Sequence, residues 1–544
     1  MGFIAGICSR DQSDISTQLY NMAIKLRHRG NSAFCVFSKE ENGWKIFQCN
    51  DPRELLDVKI SFGLVGRHLF LDENMEEIPY SDCHNTRFLL IDGRIFNISH
   101  IRKELENSHQ EKIKNSGVIL HIIEELQKKV FDFSSIFSKL FTLMEGMFAA
   151  ALILKEHVFI FRDLIGIKPL YLYVGPKYIA FASEKKALWS IGLTQRIKSL
   201  RPGRVVRFAE IGFTSHFQAE FTKSESTHRQ LELYRDQLLK SLKTNISNLI
   251  PQNSFYLLLS GGLDSTILAT LLKQMNLEFK PLVLGSRKSK DIQVANKAAD
   301  FLNLSIETLE FDEITLENLL PLLLYHVESR DEKKINIAFP LFYASKYISE
   351  KQIKILFTGQ GADELFGGYK RHEILFQENP EKLVEALWED IRQLHSVNLQ
   401  RDDAVAMAHM VELRLPYLSR NIIEQSMQIP ISFKIQPPFR KVILRQVGKQ
   451  LGLPEDLIQH PKRAIQFSSG SYNILKKLAR KCGFTKDFAL KHSFFSPTQL
   501  FIDSLAYFLG FPHIDPQIIK FYENESITWP DSFWKYENMI HKIS

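Results

Sequence analysis

Phe255-Tyr-Leu-Leu-Leu-Ser260-Gly-Gly-Leu-Asp264-Ser265-Thr266 reads as a short buried strand that ends at a serine, turns on two glycines and starts a helix near Asp264. Glycines let backbone N–H groups approach an anion closely. The helix start adds the positive end of its dipole, and Ser260 and Ser265 add hydroxyl donors. The pattern suits a pyrophosphate-sized anion held as a unit. It differs from the G-x-x-x-x-G-K-S/T loop, which holds phosphates for transfer of the terminal one. A plain glycine turn capped by Ser and Asp is the structural alternative, and the match on both flanks speaks against it.

Around this stretch the texture is that of alternating strands and helices. An amphipathic segment spans Leu231–Leu249 and a helix Gly262–Gln274. Lys280–Leu284 reads as a strand, Asp291–Leu302 as a helix, and Lys354–Thr358 as a third strand. Such alternation implies a parallel sheet covered on both faces, with ligands beyond the carboxyl ends of its strands. The residues just after Leu259, Leu284 and Phe357 are therefore expected to share one crevice. After Phe357 comes Thr358-Gly359-Gln360-Gly361-Ala362-Asp363-Glu364-Leu365-Phe366-Gly367-Gly368-Tyr369, a second glycine turn into a helix with acids in its first turn. An acid there can be a plain helix-start residue. Two such loops in one sheet favour a ligand site in which Asp264 and Asp363 face each other. One or two carboxylates completed by phosphate oxygens are what Mg²⁺ prefers. Further on, His460-Pro461-Lys462-Arg463-Ala464-Ile465-Gln466-Phe467 offers Lys462, which taken alone reads as a surface lysine.

The first 215 or so residues have a different texture: short apolar runs such as Phe3–Cys8, Phe88–Ile91, Phe148–Leu154, His157–Phe161 and Tyr178–Ala182, with helical patterns at Ile15–Leu26 and Gly117–Lys128. Run length and aromatic or β-branched content argue for a mostly β domain. Residues 216–229 read as a linker, 230–482 as the second domain, and 483–544 as an aromatic-rich helical extension carrying no legible chemistry. The 544 residues are enough for two or three domains. A hydrophobic share of 44% and a charged share of 24% are ordinary for a globular enzyme. The net charge of +7 is spread without blocks of like sign, which argues against nucleic acid as a partner. Five scattered cysteines with no C-x-x-C pair exclude a disulfide framework or structural zinc site. No apolar run approaches the ~20 residues of a membrane span, and the start resembles no signal peptide. The chain reads as cytoplasmic and reduced.

With these motifs in hand, the sequence resembles the asparagine synthetase B family over about residues 1–480. LLLSGGLDST, TGQGADELFGGY and Met407-Ala-His-Met-Val-Glu412-Leu-Arg414-Leu-Pro-Tyr417-Leu carry the likeness in the second half. In the first half it rests on Leu26-Arg-His-Arg-Gly30, Ile91–Asn97, Glu145–Ala149, Phe161–Tyr171 and Ala182–Leu188. The PKRAIQF segment and the QGADEL loop look closest to the branch containing asparagine synthetase domain-containing protein 1. The resemblance implies an α/β protein: an N-terminal nucleophile (Ntn)-type α/β/β/α amidotransferase sandwich, then a parallel-sheet ATP-pyrophosphatase domain of the adenine-nucleotide α-hydrolase type. It further implies ATP and Mg²⁺ as cofactors, small-molecule carboxylate and amine substrates, and activation of a carboxylate as acyl-AMP. Carried over, Leu259 and Leu284 contact adenosine, and Thr358 and Gly359 touch AMP. Ser260, Gly261, Gly262, Asp264 and Ser265 hold pyrophosphate, with Asp264 and Asp363 on the metal. Lys462 stabilises charge on the phosphates or at the acyl centre.

The departures are chemical. The family's glutaminase uses a cysteine at residue 2 as nucleophile; here it is Gly2. Cys8 lies inside the first strand, where an ordinary buried cysteine is the expectation. The oxyanion-hole Asn-Gly-Glu reads Asp92-Gly93-Arg94, the acid for the glutamine amine falls at Asn115, and the arginine for its carboxylate is Arg67 or has become His68. Glutamine hydrolysis is expected to be lost. In the second half, Gln360 replaces an acid that can orient or deprotonate an incoming amine, and glutamine takes no proton. The leading expectation is an ATP-dependent, AMP-forming ligase that acts on aspartate by default and takes ammonia or another amine. Two readings stay open beside it: a β-lactam-synthetase- or lasso-cyclase-like ligase on a larger substrate, and a non-catalytic scaffold. The oligomeric state, a homodimer included, is also open.

Overall fold

The computed structural model describes residues 2–41, 43–71, 78–105, 116–129, 132–222, 230–287, 289–460, 469–492, 494–515, 518 and 527–542. The chain divides into two compact units, Met1–Lys223 with Arg392–Asp403 and Ile543–Ser544, and Ser224–Ile391 with Ala404–Lys542.

Among the described residues, the first unit holds a seven-stranded and a six-stranded sheet. The seven-stranded sheet runs Lys198–Ser199, Tyr171–Val174, Tyr178–Ala182, Gly2–Ser9, Phe62–His68, Phe34–Glu40, Gly43–Cys49. The six-stranded sheet runs Gly212–Gln218, Arg204–Ala209, His157–Arg162, Gly146–Leu154, Arg87–Ile95, Tyr80–Ser81. The period of two along Gly2–Ser9 explains the layering. Phe3, Ala5 and Ile7 pack in one core with Leu19, Met22 and Leu26 of the helix Ser16–Leu26. Ile4 and Cys8 point the other way, into a core shared with Leu90, Phe148 and Phe159 of the six-stranded sheet. That core extends to Ile119, Ile123, Phe137 and Phe141 on the helices Val118–Lys129 and Phe133–Leu143. The order is helix, sheet, sheet, helices, the expected α/β/β/α sandwich. Its edge strand reaches Gln218, inside the stretch whose polarity reads as a linker.

The second unit is built on a five-stranded, all-parallel sheet in the order Glu307–Glu310, Lys280–Gly285, Tyr256–Leu258, Ile355–Phe357, Glu412–Arg414. Counted along the chain, that order is third, second, first, fourth, fifth. It reverses between Tyr256–Leu258 and Ile355–Phe357, and such a switch point opens a crevice at the carboxyl ends of the two strands. The SGGLDS and TGQGAD loops leave from these two ends. The aromatic C-terminal residues fold with this unit: Phe484, Phe501, Phe508 and Phe533 gather around Trp529.

The segment Arg392–Asp403 falls within the second domain as read from the sequence, yet it groups with the first unit. The reason is polar. Gln400 donates to Ser199 Oγ at 2.6 Å and accepts from the Tyr171 hydroxyl at 3.2 Å, and Asp403 takes the guanidinium of Arg29 at 2.7 Å. Among the described residues, no helix is long and apolar enough to cross a membrane.

Candidate functional site

In the second unit, Leu259 continues the sheet by donating to Leu282 O at 2.9 Å, and the chain then turns at Ser260. Gly261 has φ +72°, and a Cβ there would lie 2.5 Å from the backbone N of Ala295, so the turn requires glycine. The helix Leu263–Gln274 starts on Gly262 with no side-chain cap. Its first N–H groups are left to an external acceptor, the arrangement that binds anions at helix starts. Ser260 Oγ and Ser265 Oγ lie 3.2 Å apart across the turn. The Tyr417 hydroxyl donates to Asp264 O at 3.0 Å and pins the loop.

The TGQGAD loop comes alongside. A Cβ on Gly359 would lie 3.2 Å from Asp264 Cβ, so the two loops touch at this point. Asp264 and Asp363 meet through one cation: Lys441 Nζ lies 2.6 Å from Asp264 Oδ2 and 2.6 Å from Asp363 Oδ1. The two carboxylate side chains are each 14% exposed and the lysine 6%. Asp264 Oδ1 is buried and accepts no hydrogen bond from the described residues. Beside them the Tyr369 hydroxyl donates to Glu364 Oε1 at 2.6 Å; burial, then the charges of Glu364 and Asp363, push that phenol far above its ordinary range. Two carboxylates with an unsatisfied buried oxygen fit a hard divalent cation completed by phosphate oxygens.

Lys441 was missed from the sequence. It starts the helix Val442–Gln450 with φ +58°. A cation at a helix start opposes the dipole, which is the signal that could have drawn attention to it. Leu259 is fully buried and Leu284 is 7% exposed, so both belong to the core beneath the loops. Thr358, Gly359 and Gln360 are half-buried at the second strand end. Lys462 lies outside the described residues. Just after that stretch, Ser469 O accepts from Ser286 N at 2.7 Å, which fixes residue 469 beside the carboxyl end of Lys280–Gly285.

In the first unit, Gly2 opens the central strand, paired with His68. A Cβ at Gly2 would lie 1.8 Å from Arg67 O. Asp92 is fully buried: Oδ1 accepts from Gly2 N at 3.1 Å, and Oδ2 accepts from Arg29 at 2.9 Å. Arg29 also donates to Gly2 O at 2.8 Å, Glu184 at 2.9 Å and Asp403 at 2.7 Å. Burial works against its charge, but Asp403, Asp92 and Glu184 outweigh that and hold it above the usual arginine range. Lys168 pairs with Asp403, and Lys186 with Glu184. Gly93 and Arg94 follow Asp92 along the same strand; Asn115 lies outside the described residues. Arg67 donates to Ser32 O at 2.7 Å and Arg27 O at 3.0 Å, so its guanidinium is engaged by the chain itself. His68 is fully buried, and burial chiefly holds its pKa well below the ordinary value. Cys8 is buried too, its thiol pushed up to about 12 by burial first and Glu210 second, the opposite of an activated nucleophile.

An amidotransferase-type sandwich followed by a parallel-sheet nucleotide domain is the build of an amide-forming ligase, and the comparisons agree. The asparagine synthase model matches residues 234–382 and 375–500, and the glutamine amidotransferase domain model matches 67–190. A Methanocaldococcus jannaschii protein provisionally named glutamine-hydrolysing asparagine synthetase 1 is 29% identical, over 89% of this chain and 96% of its own length. Glutamine-hydrolysing asparagine synthetase 2 of Oryza sativa subsp. japonica is 27% identical, over 80% of this chain and 68% of its own. The Gallus gallus glutamine-hydrolysing asparagine synthetase is 25% identical, over 84% and 82%. The chain belongs to the asparagine synthetase family of ATP-dependent carbon–nitrogen ligases.

Proposed function

We propose that this protein uses Mg·ATP to activate a carboxylate, aspartate by default, as an acyl-adenylate, and passes the acyl group to ammonia or another amine without hydrolysing glutamine. The observation that carries the reading is the meeting of Asp264 and Asp363 on Lys441 at the sheet's switch point. The Ser260–Ser265 turn and the uncapped helix start bind the pyrophosphate end of ATP. Asp264 and Asp363 would hold Mg²⁺, which neutralises phosphate charge and favours departure of pyrophosphate. Thr358 and Gly359 face the AMP part. Lys462 stabilises the charge that develops at the α-phosphate or acyl centre. Activation is needed because a carboxylate does not expel oxide at neutral pH, whereas AMP is a competent leaving group. Gln360 orients the amine without taking its proton.

The absence of glutamine hydrolysis in this proposal rests on Gly2, which has no nucleophile, and on Asp92, whose carboxylate is engaged by Gly2 N and Arg29. A carboxylate in the position of an oxyanion donor would repel the developing charge. We assign the protein to the cytoplasm on its five scattered cysteines, a pattern that suits no disulfide framework. The test is pyrophosphate release against a panel of carboxylates and amines, with products read by mass spectrometry. The expected result is an amide product whose formation needs ATP, a carboxylate and an amine together. Pyrophosphate release with no amide from any pair would overturn the ligase reading.

A further inference from the structure

Lys441 and a divalent cation would draw on the same two carboxylates. The ammonium sits 2.6 Å from Asp363 Oδ1 and 2.6 Å from Asp264 Oδ2. A metal held by both carboxylates, at the roughly 2.0–2.1 Å typical of Mg²⁺, would crowd a second positive charge against the first. The pair is also nearly out of solvent, so their repulsion is weakly screened. Asp264 Oδ1 stays available, so a metal would reach the carboxylates with Lys441 already on Asp264 Oδ2 and Asp363 Oδ1.

We propose that Lys441 is a placeholder for the metal. It neutralises Asp264 and Asp363 until a nucleotide-bound cation arrives, and the ammonium then leaves the carboxylates to pair with the pyrophosphate oxygens. The inference rests on the functional reading above for the identity of the incoming anion. Its charge logic is independent of the reaction. Two carboxylates with one ammonium carry a net single negative charge, a poor lure for a bare divalent cation. A cation that arrives on polyphosphate brings the negative charge that draws Lys441 away. The site therefore favours metal with nucleotide over metal alone. Position 441 suits such a movement: it caps the start of a helix in the left-handed region at φ +58°, and its side chain is anchored by these two contacts.

The experiment titrates the full-length protein with Mn²⁺ in the absence of nucleotide, with bound and unbound ion separated by electron paramagnetic resonance. Lys441→Gln should bind free Mn²⁺ at least about tenfold more tightly than wild type, because a positive charge is removed next to the ion. Lys441→Arg keeps that charge and should stay within a few-fold of wild type, and adding Asp264→Asn to Lys441→Gln should abolish the gain. Thermal melts establish that each variant is folded. Equal Mn²⁺ affinity in wild type and Lys441→Gln would overturn the placeholder, as would a gain that survives Asp264→Asn. If the protein bound no Mg·ATP at all, the functional reading would fail, while the Mn²⁺ comparison would still decide the role of Lys441.

Discussion

Gly2 donates its backbone N–H to the carboxylate of Asp92 at 3.1 Å. The first described residue is thus bonded to the residue that the family resemblance aligns with an oxyanion-hole donor. Arg29 closes the arrangement by holding Gly2 O and Asp92 Oδ2 together.

Purified protein should release no glutamate from glutamine above a buffer blank, and Gly2→Cys alone should not create the activity. The first half follows from the missing nucleophile. The second follows from space, because a Cβ at residue 2 would lie 1.8 Å from Arg67 O and the strand would have to shift. Glutamate release is measured by a coupled dehydrogenase assay. Glutaminase activity in the wild type that disappears in Cys8→Ala would refute the prediction.

Lys434 sets a pH dependence on stability. The residue is 1% exposed, and its ammonium faces Met427 Sδ at 3.8 Å. Burial pushes its pKa down to about 7. The unfolded chain keeps the ordinary, higher value, so between about pH 7 and that value it binds more protons than the folded chain. Stability therefore rises with pH across this window. Lys434→Met should raise the melting temperature at pH 7 by a few degrees and flatten this dependence. Melts at pH 7 and pH 9 check it; a variant less stable than wild type at both would count against it.

Much of this was legible because local pattern and tertiary role agree. Leu231–Leu249 is the helix its amphipathic pattern predicts, and the strands before both glycine turns lie side by side in the sheet. What stayed hidden depends on residues far apart in sequence. Lys441 reaches Asp264 across 177 residues, and Asp403 reaches Arg29 across 374. No periodicity or motif encodes either meeting, since each exists only once the sheets have formed. The end of the edge strand, residues 216–218, escaped because it runs directly into a polar stretch without periodicity and reads with it as a linker, although Phe217 packs against the core.

Asp264→Asn and Asp363→Asn should each weaken Mg·ATP binding by about tenfold or more without unfolding the chain. Each change keeps the shape and removes one of the charges that would hold the cation. It also leaves Lys441 with a single carboxylate partner, so a modest loss of thermal stability accompanies it. Calorimetry on folded variants reads the affinity. Unchanged binding in both would mean that the carboxylates only start helices.

The nucleotide products should be AMP and pyrophosphate, with ADP and phosphate absent. The turn from Ser260 to Ser265, with its uncapped helix start and two neighbouring hydroxyls, would suit a pyrophosphate-sized anion and has no lysine of the phosphoryl-transfer kind. A cation between Asp264 and Asp363 would act on the leaving pyrophosphate. In the proposed mechanism Lys462 would meet charge that grows only as the α-phosphate or acyl centre reacts. Lys462→Ala should therefore depress turnover by about a hundredfold or more while changing ATP affinity by only a few-fold, the signature of a group that acts in the transition state. Turnover should also require a carboxylate. Chromatography of the nucleotides with and without aspartate decides the matter: ADP as the main product would overturn adenylation, and AMP formed equally well without any carboxylate would leave no acyl donor for the amide.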